Sequence, residues 1–190
     1  MPQHSPGDVN PQNGHPLAEM LNLNRFVFCA GCLIGTVITS LATCLKDENL
    51  NARDYAIVSG IGCSGRSSGC FKAAAFHTTH GRAIPFATGL KLAKPSIKVF
   101  VLSGDGDLSA IGGNHLIHAA RRNIDITAII MNNRIYGMTG GQFSPLSGFG
   151  TLATTAPYSN IDHDFDIVAL STAAGASFVA RTTSYHVQQM

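Results

Sequence analysis

The sequence predicts an α/β fold in which a mostly parallel β-sheet carries helices on both faces. Short apolar runs alternate with longer amphipathic stretches along the chain, which is typical of strand–helix–strand units. Three of the apolar runs end directly in segments rich in Gly, Asp or Asn, as strand ends that face a ligand do. With 190 residues, 45% of them hydrophobic, the chain is long enough for one ordinary domain with a buried core.

The elements follow from composition and periodicity. Residues 1–24 are rich in Pro, Asn, Gln and His and are predicted as an irregular N-terminal arm, and residues 25–190 as the domain. Compact apolar runs predict strands, and amphipathic stretches between them predict helices. Strands are predicted over 55–59, 97–102, 124–131 and 177–180. Helices are predicted over 31–45, 82–94, 108–122 and 164–174, and a loop rich in Gly, Ser, Thr and Pro over 137–159.

The stretch from Phe26 to Leu45 has 20 residues without a charge, which is the length of a membrane span. Its large apolar residues nevertheless fall on one helical stripe and its hydroxyl residues on another. The stripe consists of Ile34, Ile38, Leu41 and Leu45. The pattern therefore predicts a helix that is buried on one side of a globular protein.

Charge and cysteine content exclude several classes of protein. Only 13% of the residues are charged and the net charge is +2 without a basic run, so the clustered Lys and Arg of a nucleic-acid-binding surface are not seen. A low charge content predicts surface that is buried against a partner. The five cysteines are an odd number, and Met1 to Asn24 lacks a basic start followed by an apolar stretch. These features predict a reducing, cytoplasmic setting without membrane attachment.

The residues that could bind a ligand or take part in a reaction lie at the predicted strand ends. Gly60–Ser64, Gly104–Asp107 and Asn132–Gly137 each follow a predicted strand, and parallel strands bring such segments to one edge of the sheet. Gly104–Asp107 also precedes a helix, where backbone N–H groups can approach a phosphate. Taken alone, this segment is also compatible with a tight strand-to-helix turn.

The segment around Asn133 favours a phosphate-binding site over a simple turn. Asn133 follows Asp105 by 28 residues (133 minus 105), the spacing at which a strand–helix–strand unit returns to the same edge. A carboxylate, an amide oxygen and a nearby backbone carbonyl are hard oxygen ligands that suit Mg²⁺ bridging a diphosphate. Gly-Asp-Gly followed at this spacing by Asn-Asn is the thiamine diphosphate motif, so the sequence predicts this cofactor and magnesium.

Several blocks in order resemble one family over most of the chain after the arm. They are Phe28–Cys32, Ser59–Arg66, Phe76–Arg82, Gly104–Asp107, Ile111–His115, Ala119–Ile124, Asn132–Met138, Gly141–Gln142 and Phe178–Arg181. Together they resemble the β subunit of the 2-oxoacid:ferredoxin oxidoreductases, specifically of the 2-oxoglutarate type. The resemblance implies the thiamine diphosphate-binding fold, here without the C-terminal part that family members carry.

The resemblance also implies site residues. Magnesium would be held by Asp105, Asn133 and the carbonyl of Ile135. Cofactor contacts fall on Ile61, Gly62, Cys63, Ser64, His80, Gly104, Asp105, Gly106, Asp107, Asn133, Ile135, Gly137 and Met138. Arg66 stands where the family has a basic residue that faces the substrate carboxylate, and a guanidinium suits two-point carboxylate binding. His80 is expected to donate to a phosphate or to move a proton, and a structural role is the alternative.

Three cysteines match positions that hold a four-iron four-sulfur cluster in the family. Cys29 and Cys32 precede a predicted helix, and Cys63 lies in the cofactor loop. Thiolates suit such a cluster, and the local alternatives for the Cys29–Cys32 pair are zinc or a redox dithiol. The family's fourth cysteine lies beyond the position of Met190, so either the sequence is a fragment or Cys44, Cys70 or a partner supplies the last ligand. Cys44 is expected to be buried in the first helix.

The activity that the resemblance implies is oxidative decarboxylation of a 2-oxoacid to an acyl-CoA, with electrons passed to ferredoxin. With 2-oxoglutarate the product is succinyl-CoA, and pyruvate or another 2-oxoacid is the alternative substrate. An α subunit is expected to supply the carboxylate that activates the cofactor, so the chain is predicted to be inactive alone and to form a heterodimer. A non-redox thiamine diphosphate decarboxylase or synthase and a non-catalytic cofactor-binding module are the other hypotheses.

Overall fold

A four-stranded parallel sheet forms the centre of the computed structural model, which describes residues 14–186 and 188–190. Its strands are β1 (Tyr55–Ser59), β2 (Ala74–His77), β3 (Lys98–Gly104) and β4 (Thr127–Met131), in the spatial order β2-β1-β3-β4. All three pairings are parallel. A short antiparallel pair, β5 (Ile135–Tyr136) and β6 (Gln142–Phe143), lies beyond the end of β4.

Helices cover both faces of the sheet, as the sequence predicts. They are α1 (Ile34–Asp47), α2 (Ala83–Ala93), α3 (Gly113–Arg121) and α4 (Ile167–Ala173). Side chains alternate across a strand, so Tyr55 and Ile57 of β1 pack in the core beneath α1. Ala56 and Val58 pack on the opposite face with residues of α2 and α3. Because both faces are covered, β1 is buried at every position and its sequence is apolar up to the final Ser59.

The apolar stripe of the first helix is buried as expected. Ile34, Ile38, Leu41 and Leu45 are all buried in the core on the α1 side of the sheet. The helix begins at Ile34 rather than at residue 31 because Gly31 and Leu33 have positive φ angles of 81° and 61°. The expectation that Cys44 is buried is wrong: it is exposed, because it lies beside Thr43 and away from the stripe.

The predicted helix over 108–122 is divided into two segments. A π-helical turn runs from Gly106 to Ile111, and α3 begins only at Gly113. The Gly112 N–H donates to the carbonyl of Asp107 at 3.0 Å, five residues back, and Ser109 Oγ donates to the carbonyl of Asp105 at 2.5 Å. Such π turns are frequent at functional sites, and this one begins at the last glycine of the Gly-Asp-Gly segment.

Two predictions on strands differ from the structure. The sequence pattern predicts no strand at β2, which forms because Ala74–His77 pairs residue by residue with β1. Tertiary pairing of this kind overrides the weak strand propensity of its two alanines. The strand predicted over 177–180 does not form, and Phe178 there is 84% exposed. In the described residues, β4 is therefore an edge strand of the sheet.

The first described residues pack on the α1 side of the sheet. Leu17 and Leu21 are buried in that core, and Leu21 forms an isolated bridge with Phe71. Residues 1–13 of the predicted arm lie outside the described residues. Within the part of the chain that the structure describes, no helix combines the length and apolar character that a bilayer crossing needs.

Candidate functional site

The predicted site residues converge at the carboxyl edge of the sheet. The loop after β1 contributes Ile61 to Ser64, and a Cβ placed on Gly104, at the end of β3, would lie 3.4 Å from Ser64 Oγ. A Cβ placed on Gly137, after β5, would lie 3.6 Å from Cys63 Sγ. The loop after β1, the end of β3 and the segment after β5 thus lie together. We call the site between them the strand-end cleft.

Asp105 occupies the centre of this edge and is 2% exposed. Its Oδ2 accepts a hydrogen bond from Ser144 Oγ, on a loop 39 residues away in sequence. Burial raises the pKa of Asp105 above its ordinary value, and the Ser144 hydrogen bond opposes that shift. Among the described residues, no cation contributes to this shift, so the buried charge of Asp105 is not compensated there.

The side-chain amide of Asn133 faces two oxygens. One terminal atom of this amide, either its oxygen or its nitrogen, lies 3.0 Å from the carbonyl oxygen of Ile135 and 3.1 Å from Oδ1 of Asp105. With the nitrogen turned inward, the amide donates to both oxygens. With the oxygen turned inward, a carboxylate, an amide oxygen and a backbone carbonyl lie together, and these are the hard oxygen donors that Mg²⁺ prefers. The donor set therefore fits magnesium.

A second carboxylate, Asp107, lies deeper and is also 2% exposed. Its Oδ1 accepts from the Gly81 N–H at 2.6 Å and from the Ile61 N–H at 3.3 Å, and its Oδ2 accepts from Ser103 Oγ. His80 Nδ1 lies 2.6 Å from the same Oδ1, at ion-pair distance but without good hydrogen-bond alignment. Asp107 therefore contacts protein groups with both of its oxygens.

Tyr136 closes one side of the strand-end cleft. Its hydroxyl donates to the carbonyl of Gly106 at 3.1 Å, and its ring lies 6.1 Å from that of His80. Burial, with smaller contributions from Asp105 and Asp107, raises the pKa of Tyr136, so the phenol keeps its proton at neutral pH. A Cβ on Gly106 would overlap the Tyr136 ring, which explains the glycine at that position.

The loop after β6 packs against the predicted magnesium ligands from outside. Ser147 Oγ donates to the carbonyl of Arg134 at 2.5 Å and accepts from the Ser144 N–H at 2.8 Å. Asn160 is buried and donates to the carbonyl of Ser147 at 3.1 Å. A cavity of about 380 Å³ beside this loop is lined in part by Tyr136, Ser144 and Asn160.

Other predicted site residues lie at the rim. Arg66 is exposed, and its N–H donates to the carbonyl of Cys63 at 3.2 Å. Met138 is 51% exposed, after β5. These positions are compatible with contacts to a bound ligand.

The three cysteines predicted to bind a cluster are not brought together. Cys29 and Cys32 are exposed in one turn, and Cys63 is half-buried in the loop after β1. Among the residues described here, no group of three or more His, Cys, Asp or Glu side chains is arranged to hold a metal. As they lie, these cysteines do not form a cluster site.

Sequence reasoning missed Ser144, Tyr136 and Ser103 as site residues. Ser103 directly precedes the Gly-Asp-Gly segment and Tyr136 follows the predicted ligand Ile135, so sequence position could have indicated both. No local signal indicates Ser144, because its contact with Asp105 depends on how the loop after β6 folds back.

The family model for the C-terminal TPP binding domain of thiamine pyrophosphate enzymes matches residues 60–190. The chain belongs to this family. The predicted thiamine diphosphate-binding fold is thereby confirmed, and the matched residues include the whole strand-end cleft.

Two relatives are 2-oxoglutarate synthase subunits KorB. The subunit from Methanocaldococcus jannaschii is 49% identical over 93% of this chain and 66% of its own length. The subunit from Methanothermobacter thermautotrophicus is 54% identical over 93% of this chain and 62% of its own length. A β subunit of a 2-oxoacid:ferredoxin oxidoreductase from Aeropyrum pernix is 40% identical over 86% of this chain. The predicted resemblance is confirmed, and the chain spans about two thirds or less of the length of these relatives.

A solved structure has the same fold. It is the 2-oxoglutarate:ferredoxin oxidoreductase from Magnetococcus marinus, which holds 2-oxoglutarate, coenzyme A and succinyl-CoA. Its TM-score is 0.88 at 31% identity, over 94% of this chain and 62% of that chain.

Proposed function

We propose that this chain is the thiamine diphosphate-binding part of the β subunit of a 2-oxoglutarate:ferredoxin oxidoreductase. The observation that carries the proposal is that the side-chain amide of Asn133 lies 3.0 Å from the Ile135 carbonyl oxygen and 3.1 Å from Oδ1 of Asp105. The similarity to KorB subunits at about half identity supports the substrate class.

The binding step uses the metal and the backbone. Magnesium held by the three oxygen ligands would neutralise the buried charge of Asp105 and accept diphosphate oxygens. Gly104, Gly106 and Gly137 lie beside this position, where the absence of side chains lets the backbone approach the diphosphate. Ile61 to Ser64 and Met138 complete the proposed cofactor contacts.

Two side chains are proposed to act on the substrate. Bound thiamine diphosphate supplies the electron sink for decarboxylation of the 2-oxoacid. Arg66, exposed at the rim, is proposed to bind the distal carboxylate of 2-oxoglutarate and so to favour it over pyruvate. His80 is proposed to donate to the diphosphate or to move a proton near the reacting centre.

The redox part of the activity depends on groups outside the described site. Cys29, Cys32 and Cys63 are proposed as cluster ligands by resemblance alone, because among the described residues they do not form a metal-holding group. The alternative function is a non-redox thiamine diphosphate decarboxylase, which needs no cluster. Iron content distinguishes the two.

The proposed activity also requires an α subunit, coenzyme A and ferredoxin. An α subunit would supply the carboxylate that activates the cofactor, and coenzyme A and ferredoxin would accept the acyl group and the electrons. A reducing, cytoplasmic location accords with free cysteines in this chain. The isolated chain is then expected to bind cofactor without turning over substrate.

The first test is calorimetric titration of the chain with thiamine diphosphate, with and without Mg²⁺. We expect binding that requires Mg²⁺ and that weakens about 100-fold or more in Asp105→Asn. Asp125→Asn is the matched control, since Asp125 is an exposed carboxylate paired with Lys91 at 2.6 Å. Mg²⁺-independent binding, or unchanged binding in Asp105→Asn, would contradict the proposed site.

The second test uses the chain purified anaerobically with its α partner. Reduction of ferredoxin or a dye that depends on 2-oxoglutarate and coenzyme A, with about four irons per β chain, would support the redox function. Decarboxylation without iron would favour the non-redox alternative. Absence of both activities in a complex that binds cofactor would favour a binding module.

A further inference from the structure

Asp107 connects the ends of three neighbouring strands. Its Oδ1 accepts from the N–H of Ile61 after β1 and from the N–H of Gly81 after β2. Its Oδ2 accepts from Ser103 Oγ in β3. Ile61, Gly81 and Ser103 lie 46, 26 and 4 residues away from Asp107 in sequence. One buried carboxylate therefore joins two loops that are distant in sequence to the end of β3.

The loops are built around this carboxylate. A Cβ on Gly60 would overlap the carboxyl group of Asp107, and a Cβ on Gly112 would overlap its backbone carbonyl. Gly81 has a φ of +69°, and a Cβ there would overlap Ile111 at the end of the π turn. Three glycines therefore leave the space in which Asp107 contacts both loops.

The same carboxylate faces one side of the His80 ring. Nδ1 of His80 is buried and lies 2.6 Å from Oδ1 of Asp107, a close contact without hydrogen-bond alignment, while the side chain as a whole is 32% exposed. Because Nδ1 is buried, the exposed part of the side chain lies among its other atoms. A carboxylate beside one ring nitrogen favours the tautomer with the proton on that nitrogen.

We propose that Asp107 is the positioning residue for His80, an inference that rests on the proposed function of this site. Asp107 holds the Nδ1 proton of His80 toward the protein, so that Nε2 faces the strand-end cleft as the atom available to cofactor or substrate. Through its backbone contacts, it also holds the cofactor loop at Ile61 in register with β3. Its role is thus distinct from that of Asp105, the metal ligand two residues earlier.

The decisive experiment reads the His80 tautomer directly in the cofactor-free protein. Long-range ¹H–¹⁵N spectra of ¹⁵N-histidine-labelled protein, recorded under alkaline conditions, separate the two neutral tautomers, and His80→Gln assigns the signal. We expect the Nδ1–H tautomer in the wild type and a shift toward Nε2–H in Asp107→Ala. Asp107→Asn should restore the wild-type signal in large part, because its amide oxygen still accepts from the same N–H groups.

Asp105→Asn is the matched control, because it alters the neighbouring buried carboxylate without touching His80. It should leave the His80 signal unchanged while it removes Mg²⁺-dependent cofactor binding. An Nε2–H tautomer in the wild type would overturn the proposal even if Asp107→Ala does not fold. An unchanged His80 signal in folded Asp107→Ala would overturn it as well.

Activity of the complex with the α partner provides a second readout. Asp107→Ala and His80→Gln should each lower kcat about tenfold or more, and the double variant should lose no more than the stronger single variant. Additive losses would contradict a role for Asp107 through His80. Failure of the wild type to bind thiamine diphosphate would remove the proposed function, whereas the tautomer measurement would still decide the contact between Asp107 and His80.

Discussion

Glycines determine how closely the loops of the strand-end cleft approach its two carboxylates. Gly60 lies against Asp107 and Gly106 against Tyr136, and no larger residue fits at either position in the observed arrangement. Gly69, in the helical turn after the cofactor loop, has open space instead. The chain thus offers matched positions at which the same substitution has opposite consequences.

Gly60→Ala is expected to lower the free energy of unfolding by about 2 kcal/mol or more, because the added methyl group overlaps a buried carboxylate that cannot move away. It should also abolish Mg²⁺-dependent binding of thiamine diphosphate. Gly69→Ala should change stability by less than about 0.5 kcal/mol and bind normally. Urea denaturation measures the free energy of unfolding and calorimetry measures cofactor binding. Equal stability and equal binding in the two variants would contradict the close contact between Gly60 and Asp107.

Cys70 supplies a prediction on pH. Its side chain is fully buried, its thiol lies 3.5 Å from the carbonyl of Arg25, and burial raises its pKa from 9.0 to about 11. The folded state therefore favours the neutral thiol, a stabilisation that is complete below pH 9 and is lost as the pH rises toward 11. The full loss amounts to roughly 3 kcal/mol, since a shift from 9.0 to about 11 spans about two pKa units of about 1.4 kcal/mol each.

The measurement is the free energy of unfolding of wild type and Cys70→Ala between neutral pH and pH 11. The variant loses packing at every pH, but its curve should fall less steeply than that of the wild type above pH 9. Parallel curves would mean that the thiol does not contribute to alkaline unfolding.

At the level of the elements, α1 is held by one buried face and α4 begins at a capping side chain. The stripe of α1 is buried against the sheet, while Thr43 and Cys44 on its outer side are exposed. Helix α4 begins where Asp166 Oδ1 accepts from the N–H groups of Val168 and Ala169, at 3.0 and 3.1 Å. This cap explains why the helix starts three residues later than the predicted boundary at 164.

Ile38→Ala is expected to lower the free energy of unfolding by about 2–4 kcal/mol, because Ile38 is fully buried at the centre of the α1 stripe. Thr43→Ala, on the exposed side of the same helix, should cost less than about 0.5 kcal/mol. Denaturant unfolding midpoints give both stability losses, provided that the dependence of the unfolding free energy on denaturant concentration is the same in each variant. Similar losses in the two variants would mean that α1 is not packed by this face.

At the level of the whole molecule, large apolar side chains remain exposed in segments that follow the strands. They include Ile61, Ile111, Met138, Phe149, Leu152 and Ile161. Exposed apolar surface of this kind is typical of a chain that is buried against a partner. It accords with the proposed need for an α subunit at the strand-end cleft.

Hydroxyl-radical footprinting tests that arrangement. Met138, 51% exposed after β5, should be protected when the chain is bound to its α partner. Leu92 is 70% exposed near the end of α2, toward the opposite edge of the sheet, and should react equally in both states. Protection of Leu92 without protection of Met138 would locate the partner elsewhere.

Local sequence pattern was sufficient to predict the elements with a periodic apolar signal. Strand β1 has the predicted bounds, and α1 and α2 lie within a few residues of theirs, because burial on one or both faces restricts which residues can stand at each position. The pairing of Asp105 with Asn133 was predictable because a strand–helix–strand unit returns to the same edge after a known length.

Other contacts between distant segments could be seen only in the folded chain. Strand β2 forms only by pairing with β1, and the strand predicted over 177–180 does not form in the described residues. The contacts of Ser144 with Asp105 and of His80 with Asp107 join loops whose separation carries no sequence signal. The physical reason is that a buried carboxylate requires partners, and which segments supply them depends on the packing of the whole chain.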